Sequence, residues 1–178
     1  MVDRRNRRAH QEHLQCRSHR DGEDRARQSL DGAADEYARA LRIAQTHAQH
    51  AEEARALVRL AALDMQLGNG NAARAHYGQA VALYEQLAQP LGHGHAVLGL
   101  GDLEATLTHP NEARTAYGHA LTLYQQAGST RGQIAALERL ARVTADSEPA
   151  QSQEYQVRAT ALRQQAETRA AMAAAPVS

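Results

Sequence analysis

The sequence predicts an all-α fold: a right-handed α-solenoid of antiparallel helix pairs, with about three full repeats and a leading half repeat. Three observations predict it. The chain resembles itself at a spacing of 40 residues. Each period carries two apolar stripes at helical spacing, with helix-ending and helix-starting residues between them. The apolar residues are mostly Ala and Leu, with no Phe, no Trp and only six Tyr in 178 residues. That composition favours closely packed helices over a sheet or a conventional aromatic core.

The self-similarity is read first, because missing it would mistake the fold. Asn71-Ala72-Ala73-Arg74-Ala75-His76-Tyr77 aligns with Asn111-Glu112-Ala113-Arg114-Thr115-Ala116-Tyr117 at an offset of 40. The same offset joins Ala80 to Ala120, Leu83 to Leu123, Tyr84 to Tyr124, and Leu60 to Leu100 and Leu140. One period earlier stand Ala33, Tyr37, Ala40 and Ile43. One period later the offset becomes 39 and reaches Ala159 and Leu162.

Within a period, Leu57, Leu60, Ala61, Leu63 and Leu67 make one helical stripe, and Ala73, Tyr77, Ala80, Val81 and Tyr84 make the other. The junctions between them read as stops and starts. They are Gly68-Asn69-Gly70-Asn71, Thr108-His109-Pro110-Asn111 and Asp146-Ser147-Glu148-Pro149. The alternate junctions carry Gly92 and Gly128-Ser129-Thr130. Helices are expected near 24–48, 52–67, 71–88, 93–107, 111–127, 131–145 and 149–171. Residues 1–23, rich in Arg and His and almost without apolar side chains, are expected to form a disordered arm, and 172–178 a disordered tail. The helical repeat domain is 24–171.

Charge excludes little. The formal net charge is zero, but residues 1–28 hold eight Arg against five acids, leaving 12 Arg against 15 acids in the remainder. The repeat domain is therefore mildly acidic. Arg4, Arg5, Arg7 and Arg8 form a short cationic cluster, but acids lie nearby and no recognition helix follows, so a nucleic-acid partner is not expected. A single cysteine, Cys16, precludes a disulfide framework within the chain. No apolar run reaches membrane-spanning length and the start lacks a secretory h-region. We therefore expect a cytoplasmic protein without a membrane partner.

These stripes resemble the tetratricopeptide repeat family, TPR. Leu57, Leu60 and Ala61 match the first-helix signature, and Ala73, Tyr77 and Ala80 the second. Val97, Leu100, Gly101, Ala113, Tyr117 and Ala120 repeat it. Leu137, Leu140, Ala141 and Ala159 give a weaker unit, and Ala33, Tyr37 and Ala40 a half unit. The 40-residue period is longer than the family's usual one, and the usual Pro after the second helix is absent. The spacing resembles the longer variant of bacterial regulators and signalling scaffolds, and the Ala/Arg/Leu-rich style, as in Ala120-Leu121-Thr122-Leu123-Tyr124, resembles the arrays of actinobacterial transcriptional regulators. The resemblance implies a regulatory scaffold for protein–protein or protein–peptide interaction. A peptide-sensing module that controls transcription is the alternative.

In such an array the first helices line the concave face. The expected partner-binding residues are Arg55, Val58, Arg59, Ala62 and Met65 from one unit. His95, Leu98, Asp102 and Thr106 come from the next, and Glu138, Arg139 and Arg142 from the last. Arg forks suit carboxylates, which points to an acidic or C-terminal segment as ligand. The Asn that the family's chaperone-binding members use is missing: Ala62, Asp102 and Arg142 stand at its positions.

No enzyme, cofactor or metal is expected. His93 and His95 point about 200° apart on a helix, and His47 and His50 lie near a junction, so neither pair makes a metal site. Gly99-Leu100-Gly101 falls inside a helix, where small residues permit close packing, and no phosphate-loop, nucleophile-elbow or HExxH motif occurs. Tyr77, Tyr84, Tyr117 and Tyr124 keep the repeat register, which marks them as packing residues, with the hydroxyls of Tyr84 and Tyr124 expected at the surface. Tyr155, Val157 and Leu162 lack a following repeat, so a homodimer through exposed end helices is also expected.

Overall fold

The computed structural model describes residues 27–174. The arm expected over 1–23 lies outside the described residues. Among them are seven helices and no strand: α1 over 27–46, α2 His50–Gln66, α3 Gly70–Gln86, α4 Pro90–Thr106, α5 Pro110–Gln126, α6 Thr130–Thr144 and α7 Pro149–Ala174. No described helix is long and apolar enough to cross a membrane. α7 runs three residues beyond its expected end at 171.

The period is built by one turn used five times. Ala48, Gly68, Ala88, Thr108 and Gly128 all have positive φ, between 51° and 79°. At each, two backbone hydrogen bonds close the preceding helix, as where Gly68 N–H donates to the Met65 carbonyl and Asn69 N–H to that of Asp64 (3.1 and 2.7 Å). This is the Schellman arrangement, which glycine adopts without strain. Ala and Thr adopt it at a cost of about 1–2 kcal/mol each. The α6–α7 turn has no such residue; Ala145 stays right-handed at φ −56°. α6 has 15 residues where its predecessors α2 to α5 have 17, and the connection after it has one residue more, so α7 starts 19 residues after α6 and not 20, which is the origin of the 39-residue offset. Gly92, expected to end a helix, does not. Ala88 makes that turn, Pro90 starts α4, and Gly92 lies within the first turn of α4.

α2 pairs with α3, α4 with α5 and α6 with α7, and α3 and α5 pack onto the following unit. α2 also touches α4, and α4 touches α6, whereas α3 and α5 stand apart. The chain is thus an α-solenoid with the first helix of each unit toward the inner face. Its core is Ala, Leu and Tyr, with Ala54, Leu57, Ala61, Ala73, Tyr77, Ala80, Ala113, Tyr117 and Ala120 all buried. Tyrosines fill gaps left by glycines. A Cβ on Gly101 would lie 2.6 Å from the Tyr117 ring and one on Gly94 2.9 Å from Tyr124. Gly92 against Tyr84, Gly99 against Tyr77 and Gly132 against Tyr124 are closer still. Gly99 and Gly101 are packing residues, as expected. Tyr124 departs from expectation: it is completely buried, because Gly94 and Gly132 let α4 and α6 close over its ring.

The last helix ends the stack. At the positions of Tyr117 and Tyr124, α7 carries Gln156 and Arg163. Tyr155 and Leu162, expected to lie bare, pack against the core of α5 and α6; of that trio only Val157 is exposed, at 62%. The reason is the 3–4 spacing of Ser152, Tyr155, Ala159 and Leu162, which turns all four toward α6.

Candidate functional site

The first helices bring part of the expected inner-face set together. Asp102 on α4 is the centre. Its Oδ1 accepts the Tyr117 hydroxyl at 2.9 Å and Arg139 Nε at 2.6 Å, tying α4, α5 and α6. Arg139 also donates to the Ala135 carbonyl at 3.3 Å. Burial first, then the charge of Asp102, pushes the Tyr77 hydroxyl up to about 12 and that of Tyr117 higher. Burial also raises Tyr124 to about 12. The hydrogen bond to Asp102 outweighs burial at Arg139 and holds its guanidinium more firmly charged.

His95 leans on Tyr124, with ring centroids 5.5 Å apart. Its pKa is lowered, by burial first and then by the cations Arg59 and Arg131. Arg59 from α2, His95 from α4 and Arg131 from α6 therefore share one electrostatic neighbourhood. Arg142 lines a cavity of about 400 Å³ with Ala105, Thr108, Pro110, Tyr117, Arg139 and Val143. Among the described residues, Arg59, Arg131 and Arg142 have no carboxylate within 4.0 Å.

Other expected residues are placed differently. Arg55 is paired with Glu52 on its own helix, at 2.5 Å. Val58 and Leu98 pack partly buried between repeats, and Ala62 and Met65 are half-buried. The Thr106 hydroxyl bonds back to the Asp102 carbonyl at 2.8 Å. Glu138 reaches across to Arg163 of α7. The acids near the inner face are thus matched, and the unmatched charge is cationic. Arg131 was not in the expected set, because its place in the first turn of α6 gives no repeat-register signal.

The outer face holds a larger groove, about 820 Å³, that the sequence did not announce. α4 forms its floor, with α3 and α5 as walls. Val81, Val97, Leu100 and Ala116 give it an apolar lining. At one end Glu104 accepts Arg74 Nε at 3.0 Å, Arg74 Nη2 at 2.7 Å and His109 Nδ1 at 2.9 Å. Burial would raise the Glu104 carboxyl, but these partners lower it. Near the other end His93, 9% exposed, meets the groove residue His119 edge to face, at 5.3 Å. His93 Nε2 is buried without a partner.

A pH dependence follows. Burial and the neighbouring His119 lower the His93 pKa below 6.5, although Glu85 opposes them. The unfolded chain therefore takes up this proton first as pH falls, and the folded state loses stability below about pH 6.5. The loss levels off beneath the folded pKa. Thermal unfolding followed from pH 7 to pH 5 is expected to show a falling Tm, with a shallower slope in His93→Leu. Equal slopes in both proteins would sink the assignment. Glu104 acts in the same direction in a separate, more acidic window, because its folded pKa is also depressed.

Fold and faces define a helical-repeat protein of the α-solenoid class. No protein-family model matches the sequence, and no curated protein does. Among solved structures, the crystal structure of BtubC (BKLC) from P. vanneervenii is similar, with a TM-score of 0.68 at 21% identity, over 84% of this chain and 60% of that one. At this identity the likeness concerns the fold alone. This chain spans about 60% of the length of that protein.

Proposed function

We propose that this chain is a tetratricopeptide-type interaction scaffold, acting in the cytoplasm, that holds an acidic protein segment along the α2–α4–α6 face. It works by binding and not by catalysis. The observation that carries the reading is the charge of that face. Asp102 is held by Arg139 and Tyr117, and Glu138 by Arg163, while Arg59, Arg131 and Arg142 have no carboxylate partner among the described residues. Guanidinium groups on rigid helices in this state suit carboxylates. The pocket beside Arg142 adds apolar walls, Val143, Pro110 and Ala105, for a side chain next to the acid. A regulatory role, including peptide sensing, is compatible with such a scaffold and supplies the biological setting we favour.

The test is a set of acidic and neutral peptides titrated against the full chain by fluorescence anisotropy. Acidic peptides are expected to bind, more weakly as salt rises. The triple variant Arg59→Ala, Arg131→Ala, Arg142→Ala is expected to lose roughly tenfold in affinity, since exposed pairs each contribute about 0.2–1 kcal/mol. Unchanged affinity in the triple variant would overturn the proposal.

A further inference from the structure

The repeat supplies its own control for judging which surfaces lack a partner. Ala73 and Ala113 are fully buried, and so are Ala80 and Ala120; Tyr77 and Tyr117 are nearly so. The residues one period earlier on α1 are not. Ala33 and Tyr37 are half-buried and Ala40 is exposed. Ile43 is 57% exposed, where its counterpart Leu83 is half-buried and Leu123, two periods on, is 7% exposed. The other side of α1 is occupied, because Ala44 is buried and Leu41 packs against α2 and α3. α1 therefore presents the stripe that α3 and α5 press against their first helices, and nothing in the described part covers it. Ala33, Tyr37 and Ala40 lie within about 60° of one another on the helix, with Ile43 at one edge.

Twenty-six residues precede the described part, long enough for a first helix and its turn. Their chemistry does not match one. At the positions 40 residues before Leu57, Leu60 and Ala61 stand Arg17, Arg20 and Asp21. These positions therefore lack the apolar stripe of a first helix.

We infer that α1 is the interface of an isologous dimer, in which α1 packs antiparallel on α1 of a second copy. Small residues at Ala33 and Ala40 allow close approach, and Tyr37 and Ile43 supply the apolar bulk. The flanking charges are complementary in this arrangement. Glu36 and Arg39 lie on the same flank as Ile43, and a two-fold axis between residues 37 and 38 sets each Glu36 opposite the partner copy's arginine at position 39. Parallel packing offers no such pairing, because a two-fold axis along the helices puts the two Glu36–Arg39 flanks on opposite sides of the pair. The interface lies away from the Asp102 network, so dimerisation and inner-face binding are separable.

Sedimentation equilibrium of the full chain tests this. We expect a dimer that dissociates in the micromolar range. Ala40→Glu, at an exposed position that leaves the monomer folded by circular dichroism, is expected to weaken it at least tenfold. Glu36→Arg is expected to weaken it too, and adding Arg39→Glu to restore it. Each of three results would overturn the inference. They are a monomer up to about 100 μM, a dimer indifferent to Ala40→Glu, and a dimer that forms only when residues 1–26 are removed. The last would show that the chain's own leading residues cover the stripe.

Discussion

Replacing Tyr124 by Ala is expected to destabilise the fold by about 3–5 kcal/mol, the largest effect of any single change discussed. Tyr124 is completely buried, and α4 and α6 have glycines where side chains would otherwise meet its ring. The substitution empties a space that the stiff helices cannot close. Gly132→Leu creates the opposite fault, since a side chain there has no room beside the ring. We expect it to cost about 1–3 kcal/mol. In the double variant the leucine enters the space the ring has left, so the costs should not add. Urea unfolding of the two single variants and the double measures the coupling, expected at 1 kcal/mol or more. Additive costs would show that Gly132 is not the ring's socket. Domain stabilities are commonly only about 5–15 kcal/mol, so Tyr124→Ala alone brings the array near unfolding. Because each unit leans mainly on its neighbours, the loss should appear as early melting of α6 and α7 ahead of α2 to α5.

The glycine sockets show what a sequence of this kind makes legible. Helix number, period and pairing follow from the apolar stripes and from Pro and Gly at the junctions, because these features act locally. The turn at Ala88 was hidden, since nothing in an alanine marks a left-handed backbone; it is imposed by the twenty-residue rhythm of the helices on either side. Gly92, by contrast, looked like a stop and is a packing contact across two helices, a relation that spacing along one helix does not reveal. The inner face was legible as a set of positions but not as a set of pairings. Asp102, Arg139 and Tyr117 are separated by up to 37 residues, and which acid meets which arginine depends on the stagger of α4 and α6. The outer groove was invisible for the same reason: its floor and walls come from three helices, and no motif links them.

Asp102 joins the fold to the proposed function, and its removal should move the two in opposite directions. Asp102→Ala takes the acceptor from the Tyr117 hydroxyl and from Arg139 Nε. A buried donor left unpaired costs about 1–3 kcal/mol. Arg139 still has partial access to solvent and can turn outward, so the loss should fall toward 1 kcal/mol. The same change lifts the net charge of the inner face by one and frees a guanidinium already positioned between α4 and α6. An acidic peptide should then bind about fivefold tighter at low salt, the advantage fading as ionic strength rises. Asp102→Asn separates the two effects, since it removes the charge but keeps a carbonyl oxygen to accept the Tyr117 hydroxyl. It should retain most of the stability and show the same gain in binding. Chemical unfolding and anisotropy titration on the same preparations give both numbers. If affinity instead fell in both variants while the fold held, Asp102 would be contacting the ligand itself. The face would then be built for a cationic or hydroxylated segment, with Arg139 as its support.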